Sequence, residues 1–154
     1  MNPAEYIGLD LGTFTFDVDR SQLRLFAKAI GETRPLYTDP AAARAAGYRD
    51  VPAPPTFAFS VGMNPDDPFD MLKSLNVDLA KILHGEQSFE YTIPICAGDR
   101  VRVRRSVVDA YQKKGGALTF FVVQLTYEDA RSCARLCTAR QTIIVRSEAA
   151  GNAG

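Results

Sequence analysis

The sequence has little histidine and little cysteine, and charge of neither sign is in excess. His84 is the only histidine, and Cys133 and Cys137 together with it fall short of the ligand count of a zinc site. Three cysteines, an odd number, do not form a disulfide framework, so a reducing cytoplasm is the expected compartment. Eighteen basic residues balance eighteen acidic ones, which gives the whole molecule no attraction to nucleic acid or to an anionic membrane.

Long apolar runs are also absent. None approaches the roughly 20 residues that are needed to span a bilayer. Residues 1–6 lack the basic-then-apolar layout of a signal peptide, so we expect neither a membrane segment nor a leader. A chain of 154 residues with 46% hydrophobic content is long enough for one domain with its own core. We expect that domain to cover residues 1–146, and residues 147–154 to form a disordered tail.

The most apolar stretch, residues 53–63, contains no charged residue in a chain that is 23% charged. Bulky side chains alternate in it with small ones: Phe57, Phe59, Val61 and Met63 with Ala58, Ser60 and Gly62. This alternation alone favours a strand, whereas an all-apolar composition also suits a helix that is buried on every side. Pro54 and Pro55 fit the entry to such a helix, because first-turn amides have no intrahelical partner. The remaining chain offers several strands to wrap a central helix, and we therefore predict a helix here.

The first part of the chain predicts one strand and one amphipathic helix. Residues 13–18 alternate as a strand does. Asp19 is a suitable N-cap for a helix over residues 21–30, with Gln22 completing a capping box and Gly31 ending the helix. Four apolar residues fall on one face of this helix: Leu23, Phe26, Ala27 and Ile30.

The second half is predicted to be mostly β-structure. Short helices are expected at residues 41–46 and 71–80, with a surface loop at residues 64–68. Four strands follow, at residues 88–95, 101–111, 117–127 and 133–146. In the first of these, one face is expected to carry Phe89, Tyr91, Ile93 and Ile95. This order of elements predicts an α+β domain, a curled antiparallel sheet wrapped around one helix.

Three segments give the sequence a resemblance to a known family. Residues 26–48, residues 51–57 and the run Pro-Ile-Cys-Ala-Gly-Asp at residues 94–99 resemble the MaoC-type hot-dog dehydratases. The similarity is greatest to the FAS1-like N-terminal version, which includes non-catalytic, substrate-binding subunits of heterodimeric 3-hydroxyacyl-thioester dehydratases. Its most specific pieces are Ala-Pro-Pro-Thr-Phe at residues 53–57 and Ala-Gly-Asp at residues 97–99.

The resemblance implies a hot-dog fold, in which a long central helix is wrapped by five or six antiparallel strands. It also implies acyl thioesters of CoA or acyl carrier protein as ligands, a place in fatty acid metabolism, and no cofactor. An edge strand of such a sheet exposes unpaired backbone groups, and relatives pair two sheets edge to edge. We therefore expect a homodimer, or a heterodimer with a catalytic MaoC-like subunit.

Active members of the family carry a Gly-Asp-x-Asn-Pro-Leu/Ile-His motif, whose aspartate and histidine position a water and move protons. Here the motif falls on residues 31–37, where Glu32 takes the aspartate position and Tyr37 the histidine position. A tyrosine, with a reference pKa of about 10, is a poor replacement for imidazole as a general base. Arg34 favours the charged form of Glu32 and so weakens it as a base. A degenerate motif is the favoured interpretation, and a new Glu32/Tyr37 dyad stays the alternative.

A second departure concerns the start of the central helix. Active relatives place there a glycine whose backbone N–H polarises the thioester carbonyl. The position falls on Pro55, which has no N–H, although a shift of one residue would bring Thr56 there.

His84 is either a base, with Glu86 or Glu90 nearby in sequence, or a residue lining the acyl channel. Gln87 matches a glutamine frequent in the family, and it either reaches the substrate or bridges the sheet.

The favoured function is a component of an (R)-specific 2-enoyl-thioester hydratase, or 3-hydroxyacyl-CoA or -ACP dehydratase. This chain would bind the acyl group, and a partner hot-dog subunit would supply the aspartate and histidine. The alternatives are a non-enzymatic acyl-CoA-binding homodimer and a self-sufficient hydratase that uses Glu32, Tyr37 or His84. The expected substrate-binding residues are Pro55, Thr56, Phe57, Ser60, His84 and Gln87. One basic strand face is predicted from Arg100, Arg102, Arg104 and Arg105. This face is either solvated or in contact with a CoA phosphate or an acidic carrier protein.

Overall fold

The computed structural model describes residues 2–147 and contains one five-stranded antiparallel sheet. Its strands are β1 (Asp10–Asp17), β2 (Ile82–Tyr91), β3 (Arg100–Lys113), β4 (Leu118–Asp129) and β5 (Arg135–Arg146). They are arranged in the order β1-β3-β4-β5-β2, so that β1 and β2 form the two edges. Each neighbouring pair is antiparallel. The antiparallel sheet that the sequence predicts is thus confirmed.

In the described part of the chain, four short α-helices accompany the sheet. They are α1 (Arg20–Ala29), α2 (Pro40–Ala45), α3 (Ala58–Val61) and α4 (Asp70–Ser74). Single 3₁₀ turns lie at Pro3–Tyr6, Pro35–Tyr37, Pro55–Phe57, Leu79–Lys81 and Lys114–Gly116. Within residues 2–147, no helix has the length and apolar character that crossing a membrane would require.

Helix α1 has the capping residues that its sequence predicts, although it covers residues 20–29 rather than 21–30. The Asp19 side chain accepts a hydrogen bond from the Ser21 amide at 2.7 Å, and the Asp19 amide donates to the Gln22 side chain at 2.9 Å, which forms the capping box. At the other end, Gly31 adopts φ +73°. The Glu32 amide then donates to the Ala27 carbonyl at 2.8 Å, the long bond of a Schellman motif. This motif fixes the backbone of Glu32 directly after the helix.

The central segment is helical, so the strand interpretation of residues 53–63 is wrong. It is also shorter than the long helix that we predicted, because the turn Pro55–Phe57 and helix α3 together end at Val61. Pro65 stops any continuation, since it removes an amide donor and drives Asn64 out of the helical region. The next helix, α4, begins only at Asp70.

The core lies between this helical segment and one face of the sheet. Ala58 and Val61 are fully buried, and the inward residues of β4 alternate from Thr119 to Tyr127. Gly62 permits the closest approach, because a Cβ there would lie 2.6 Å from the Tyr127 hydroxyl and 2.8 Å from Leu125 Cδ2. No larger residue fits at Gly62 without a shift of the sheet side chains.

Three further details differ from the sequence-based expectations. Strand β2 covers residues 82–91 rather than 88–95, because the chain turns away before Pro94; Ile93 is therefore partly exposed and Ile95 packs in the core. Cys133 precedes β5 and is exposed, so it does not share a strand face with the buried Cys137. In the predicted tail, the Ser147 amide donates to the Ala117 carbonyl at 3.0 Å, and residues 148–154 lie outside the described part of the chain.

Candidate functional site

Glu32 is held in place by one neighbouring arginine. Its carboxylate accepts hydrogen bonds from Arg34 Nε at 3.0 Å, from Arg34 Nη2 at 2.6 Å and from the Arg34 amide at 2.9 Å. These bonds to the Arg34 guanidinium and amide lower the pKa of Glu32 to about 2. Glu32 is therefore a stable carboxylate at neutral pH with its oxygens already occupied, which is the opposite of what a general base requires.

Tyr37 lies under the same arginine. The Arg34 guanidinium carbon sits 5.0 Å from the centroid of the Tyr37 ring, a cation–π contact. The ring is buried and lines a cavity of about 140 Å³, which we call the proline cavity. Its lining includes Tyr37, Tyr48, Pro52, Pro55, Tyr91 and Pro94.

His84 lies in a different cavity, on edge strand β2. An open groove of about 500 Å³, which we call the β2 groove, is lined by Phe26, Thr56, Phe59, His84, Gln87 and Phe89. The His84 ring packs edge-on against Phe59, with centroids 5.6 Å apart. No carboxylate in residues 2–147 is hydrogen-bonded to His84, so the imidazole has no orienting partner of the kind that a catalytic base uses.

A second cavity of about 140 Å³, the inner cavity, shares Phe59, His84 and Gln87 with the β2 groove. It extends between α4 and the sheet. Its apolar lining includes Met63, Phe69, Leu72, Leu125 and Ile143, and its polar lining includes Arg105 and Gln141. Groove and inner cavity are therefore adjacent, and Phe59, His84 and Gln87 line both of them.

The turn at residues 55–57 has one free amide, at a residue that lines the β2 groove. Pro55 has no N–H, and its carbonyl accepts a hydrogen bond from the Tyr91 hydroxyl. Thr56 lines the β2 groove, and its amide has no hydrogen-bond partner among the described residues. The backbone donor that Pro55 lacks is therefore available one residue later.

The site residues predicted from the sequence do not all lie in one cavity. Thr56, His84 and Gln87 lie together in the β2 groove, whereas Pro55 lies with Tyr37 in the proline cavity. Phe57, which we expected to contact substrate, is 4% exposed, packs in the core and lines none of the three cavities. Its ring centroid lies 5.2 Å from that of Phe26 and 6.3 Å from that of Phe16. Ser60 is half-buried and lines none of the cavities described above.

Sequence reasoning missed the most deeply buried charged residue among residues 2–147. We expected Arg105 on a solvated basic strand face, yet its side chain is 2% exposed and points to the core side of β3. It forms a two-bonded ion pair with Asp70 of α4, at 2.8 and 2.7 Å. Alternation along β3 was the available signal, since Arg105 is in phase with Val101 and Val103 and out of phase with the other three arginines.

Metal-ligating side chains do not gather anywhere in residues 2–147, where no three His, Cys, Asp or Glu residues are close enough to hold an ion. Burial raises the pKa of the Cys137 thiol to about 11, so this sulfur is an inert core thiol.

Comparison with known proteins gives consistent matches. The family described as the FAS1-like dehydratase domain region matches residues 5–134. A UPF0336 protein from Saccharopolyspora erythraea is 37% identical over 137 residues, which cover 89% of this chain and 86% of the relative.

Two solved structures are similar to this chain. A chain of the C-terminally truncated HadBC (3R-hydroxyacyl-ACP dehydratase) complex from Mycobacterium tuberculosis matches with a TM-score of 0.73 at 23% identity, covering 90% of this chain and 96% of that one. A MaoC-like dehydratase matches with a TM-score of 0.75 at 26% identity, covering 92% of this chain and 42% of that longer one.

Proposed function

This chain belongs to the FAS1-like dehydratase family, and on that premise we propose that it is the acyl-binding component of a thioester hydratase/dehydratase. A partner hot-dog subunit supplies the aspartate and histidine that this chain lacks at the motif positions. The α+β hot-dog fold that such a role requires is confirmed by the similar solved structures. The substrate class is an acyl thioester of CoA or of an acyl carrier protein.

The state of Glu32 is the observation that carries this proposal. Hydration of a 2-enoyl thioester needs a base that takes a proton from water while the water oxygen bonds to C3, and an acid that protonates C2. Glu32, with a pKa of about 2, takes no proton near neutral pH. Tyr37 is stacked under Arg34 and occupies a different cavity from His84, so these residues do not form a dyad.

The β2 groove supports the binding half of the role. It is apolar on most of its lining, and it lies along an edge strand whose outer side is unpaired in residues 2–147. A partner that pairs with this edge brings its own side chains next to Thr56 and His84. The free amide of Thr56 is the donor we assign to the thioester carbonyl oxygen of the bound substrate.

The test is hydration of crotonyl-CoA and 2-octenoyl-CoA, followed by loss of absorbance of the conjugated thioester. The purified chain is compared with the complex that forms when it is co-expressed with an intact-dyad hot-dog subunit. We expect the chain alone to be at least about 100-fold slower than the complex, because a positioned acid–base pair contributes about 10²–10⁴ to a rate.

Variants distinguish the alternatives. Brisk turnover by the chain alone that is lost in His84→Ala or Tyr37→Phe would overturn the proposal in favour of a self-sufficient enzyme. Tight acyl-CoA binding without turnover in any complex would instead favour the non-enzymatic binding homodimer. Leu25→Ala, a change on the exposed side of α1 away from both cavities, is the control for non-specific effects.

A further inference from the structure

The inner cavity combines an apolar lining with two buried polar atoms that lack partners. Arg105 Nε and Gln87 Oε1 are both inaccessible to solvent and have no hydrogen-bond partner within residues 2–147. Both residues line the inner cavity. Buried polar groups are nearly always paired, so two unpaired ones around a single cavity call for an explanation.

Asp70 already balances the charge of Arg105. The unpaired Nε–H is therefore a hydrogen-bond donor without excess charge beside it. Asp70 binds two nitrogens of Arg105, and Nη2 also donates to the Leu11 carbonyl at 2.7 Å. The guanidinium packs 4.9 Å from the centroid of the Phe14 ring. These contacts hold the guanidinium in place, and Nε is the one of its three nitrogens that makes no hydrogen bond within residues 2–147.

Gln87 offers the complementary group. Its amide nitrogen donates to the Arg140 carbonyl at 3.2 Å, which fixes the side chain across the β2–β5 pair and leaves the carbonyl oxygen unpaired. The neighbouring Gln141 is paired with Gln87 in the sheet. Within residues 2–147 its side-chain amide donates only to the thioether sulfur of Met71, a weak acceptor. Polar groups that line the inner cavity on β2, β3 and β5 therefore lack good hydrogen-bond partners.

We propose that the inner cavity receives an acyl chain that carries a neutral oxygen group, a hydroxyl or a carbonyl, several carbons beyond the thioester. This inference rests on the proposed function, because the thioester itself lies in the β2 groove. A plain alkyl chain would leave Arg105 Nε and Gln87 Oε1 buried without partners. A hydroxyl accepts from the first or donates to the second, and a carbonyl accepts from the first. A terminal carboxylate is disfavoured, since Asp70 already balances the Arg105 charge.

The test is calorimetric titration of the full chain, in its co-expressed complex where one forms, with four CoA esters. These are octanoyl-CoA, 6-hydroxyoctanoyl-CoA, 8-hydroxyoctanoyl-CoA and the ω-carboxylate analogue of octanoyl-CoA. We expect at least one hydroxylated ester to bind about fivefold or more tightly than octanoyl-CoA, and the carboxylate ester to bind more weakly.

Substitutions locate the effect. Gln87→Met keeps the side-chain shape and removes the acceptor, and the double change Arg105→Met with Asp70→Leu removes the ion pair without leaving one charge buried. We expect each to reduce the preference for the hydroxylated ester. Gln124→Met on the other face of the sheet is the control and should leave the preference unchanged.

The outcomes separate the two proposals. If none of the esters binds to chain or complex, the proposed function fails and this inference fails with it. If the esters bind without a preference for a hydroxyl, the proposed function stands and this inference is overturned. A preference that survives both Gln87→Met and the Arg105/Asp70 double change also overturns it, because the oxygen would then be recognised elsewhere. Thermal unfolding of every variant confirms that the compared proteins are folded.

Discussion

The Tyr127 hydroxyl donates a hydrogen bond to the Ala58 carbonyl oxygen at 2.9 Å, and this contact joins β4 to the central helical segment. The same carbonyl accepts the Gly62 amide at 2.9 Å, so the Ala58 oxygen receives one backbone and one side-chain hydrogen bond. Because Tyr127 fixes this segment against the sheet, Phe59 is left on the side that faces the β2 groove and the inner cavity.

We expect Tyr127→Phe to lower the free energy of unfolding by about 1 kcal/mol, the usual net value of a buried hydrogen bond. The loss is no larger because the Ala58 carbonyl keeps the Gly62 amide as a partner. Urea denaturation measures it, with Tyr111→Phe as the control, since that ring stacks on Phe120 on the outer face of the sheet. A Tyr127→Phe protein as stable as the parent would contradict this role.

Gly62→Ala should destabilise the protein by about 1–3 kcal/mol, the cost of overfilling a packed site. The φ of Gly62 is −73°, so alanine is acceptable to the backbone and the whole cost comes from contact with Leu125 and Tyr127. Ser60→Ala, in the same helix, should change the stability by less than about 0.5 kcal/mol. Equal stability of the two variants would show that the sheet side chains move aside freely.

The sequence predicted the elements whose signals are local. The Asp19 capping box, the Gly31 helix end and the strands β3 to β5 need only neighbouring residues, and each is present. The hot-dog fold followed from the resemblance, because its motifs cover most of the chain. The length of the central helix was overestimated, since an all-apolar pattern does not reveal where Pro65 ends it.

The candidate site was less predictable, because its geometry depends on contacts between distant residues. The buried charge of Arg105 is compensated by Asp70, which lies 35 residues away in sequence. No local sequence pattern pairs the two residues. Likewise, only the fold shows that His84 and Thr56 share a groove while Tyr37 lies in another cavity. The effect of Arg34 on Glu32, a contact between near neighbours, was predictable and corresponds to the lowered pKa.

Glu32→Gln should make stability less dependent on acid. Folding lowers the pKa of Glu32 from about 4.3 to about 2, so its ion pair with Arg34 stabilises the protein above pH 4.3 and the contribution is lost as the pH falls toward 2. The parent should therefore melt at a higher temperature than Glu32→Gln at pH 6, and the difference should shrink steadily between pH 4.5 and pH 2.

The matched control for this pH series is Glu86→Gln on β2, whose carboxylate forms no ion pair within residues 2–147. The difference between parent and this control should stay nearly constant over the same range. A Glu32→Gln curve parallel to that of the parent down to pH 2 would contradict the tight Glu32–Arg34 pairing. It would also remove the main argument against Glu32 as a base.

Edge strand β2 should be the contact surface for a second hot-dog chain. Leu83, at its start, is 47% exposed, and the exposed apolar residues Phe59, Met63 and Phe69 also line the inner cavity beside this edge. A charge on Leu83 would be buried by edge-to-edge pairing, which is costly without a partner charge. We therefore expect Leu83→Lys to weaken association at least tenfold, measured by sedimentation velocity over a dilution series. Leu25→Lys on α1, where the leucine is 70% exposed, should leave association unchanged. Equal association of the two variants, or a parent that is monomeric alone and with every dyad-bearing partner, would exclude β2 as the interface.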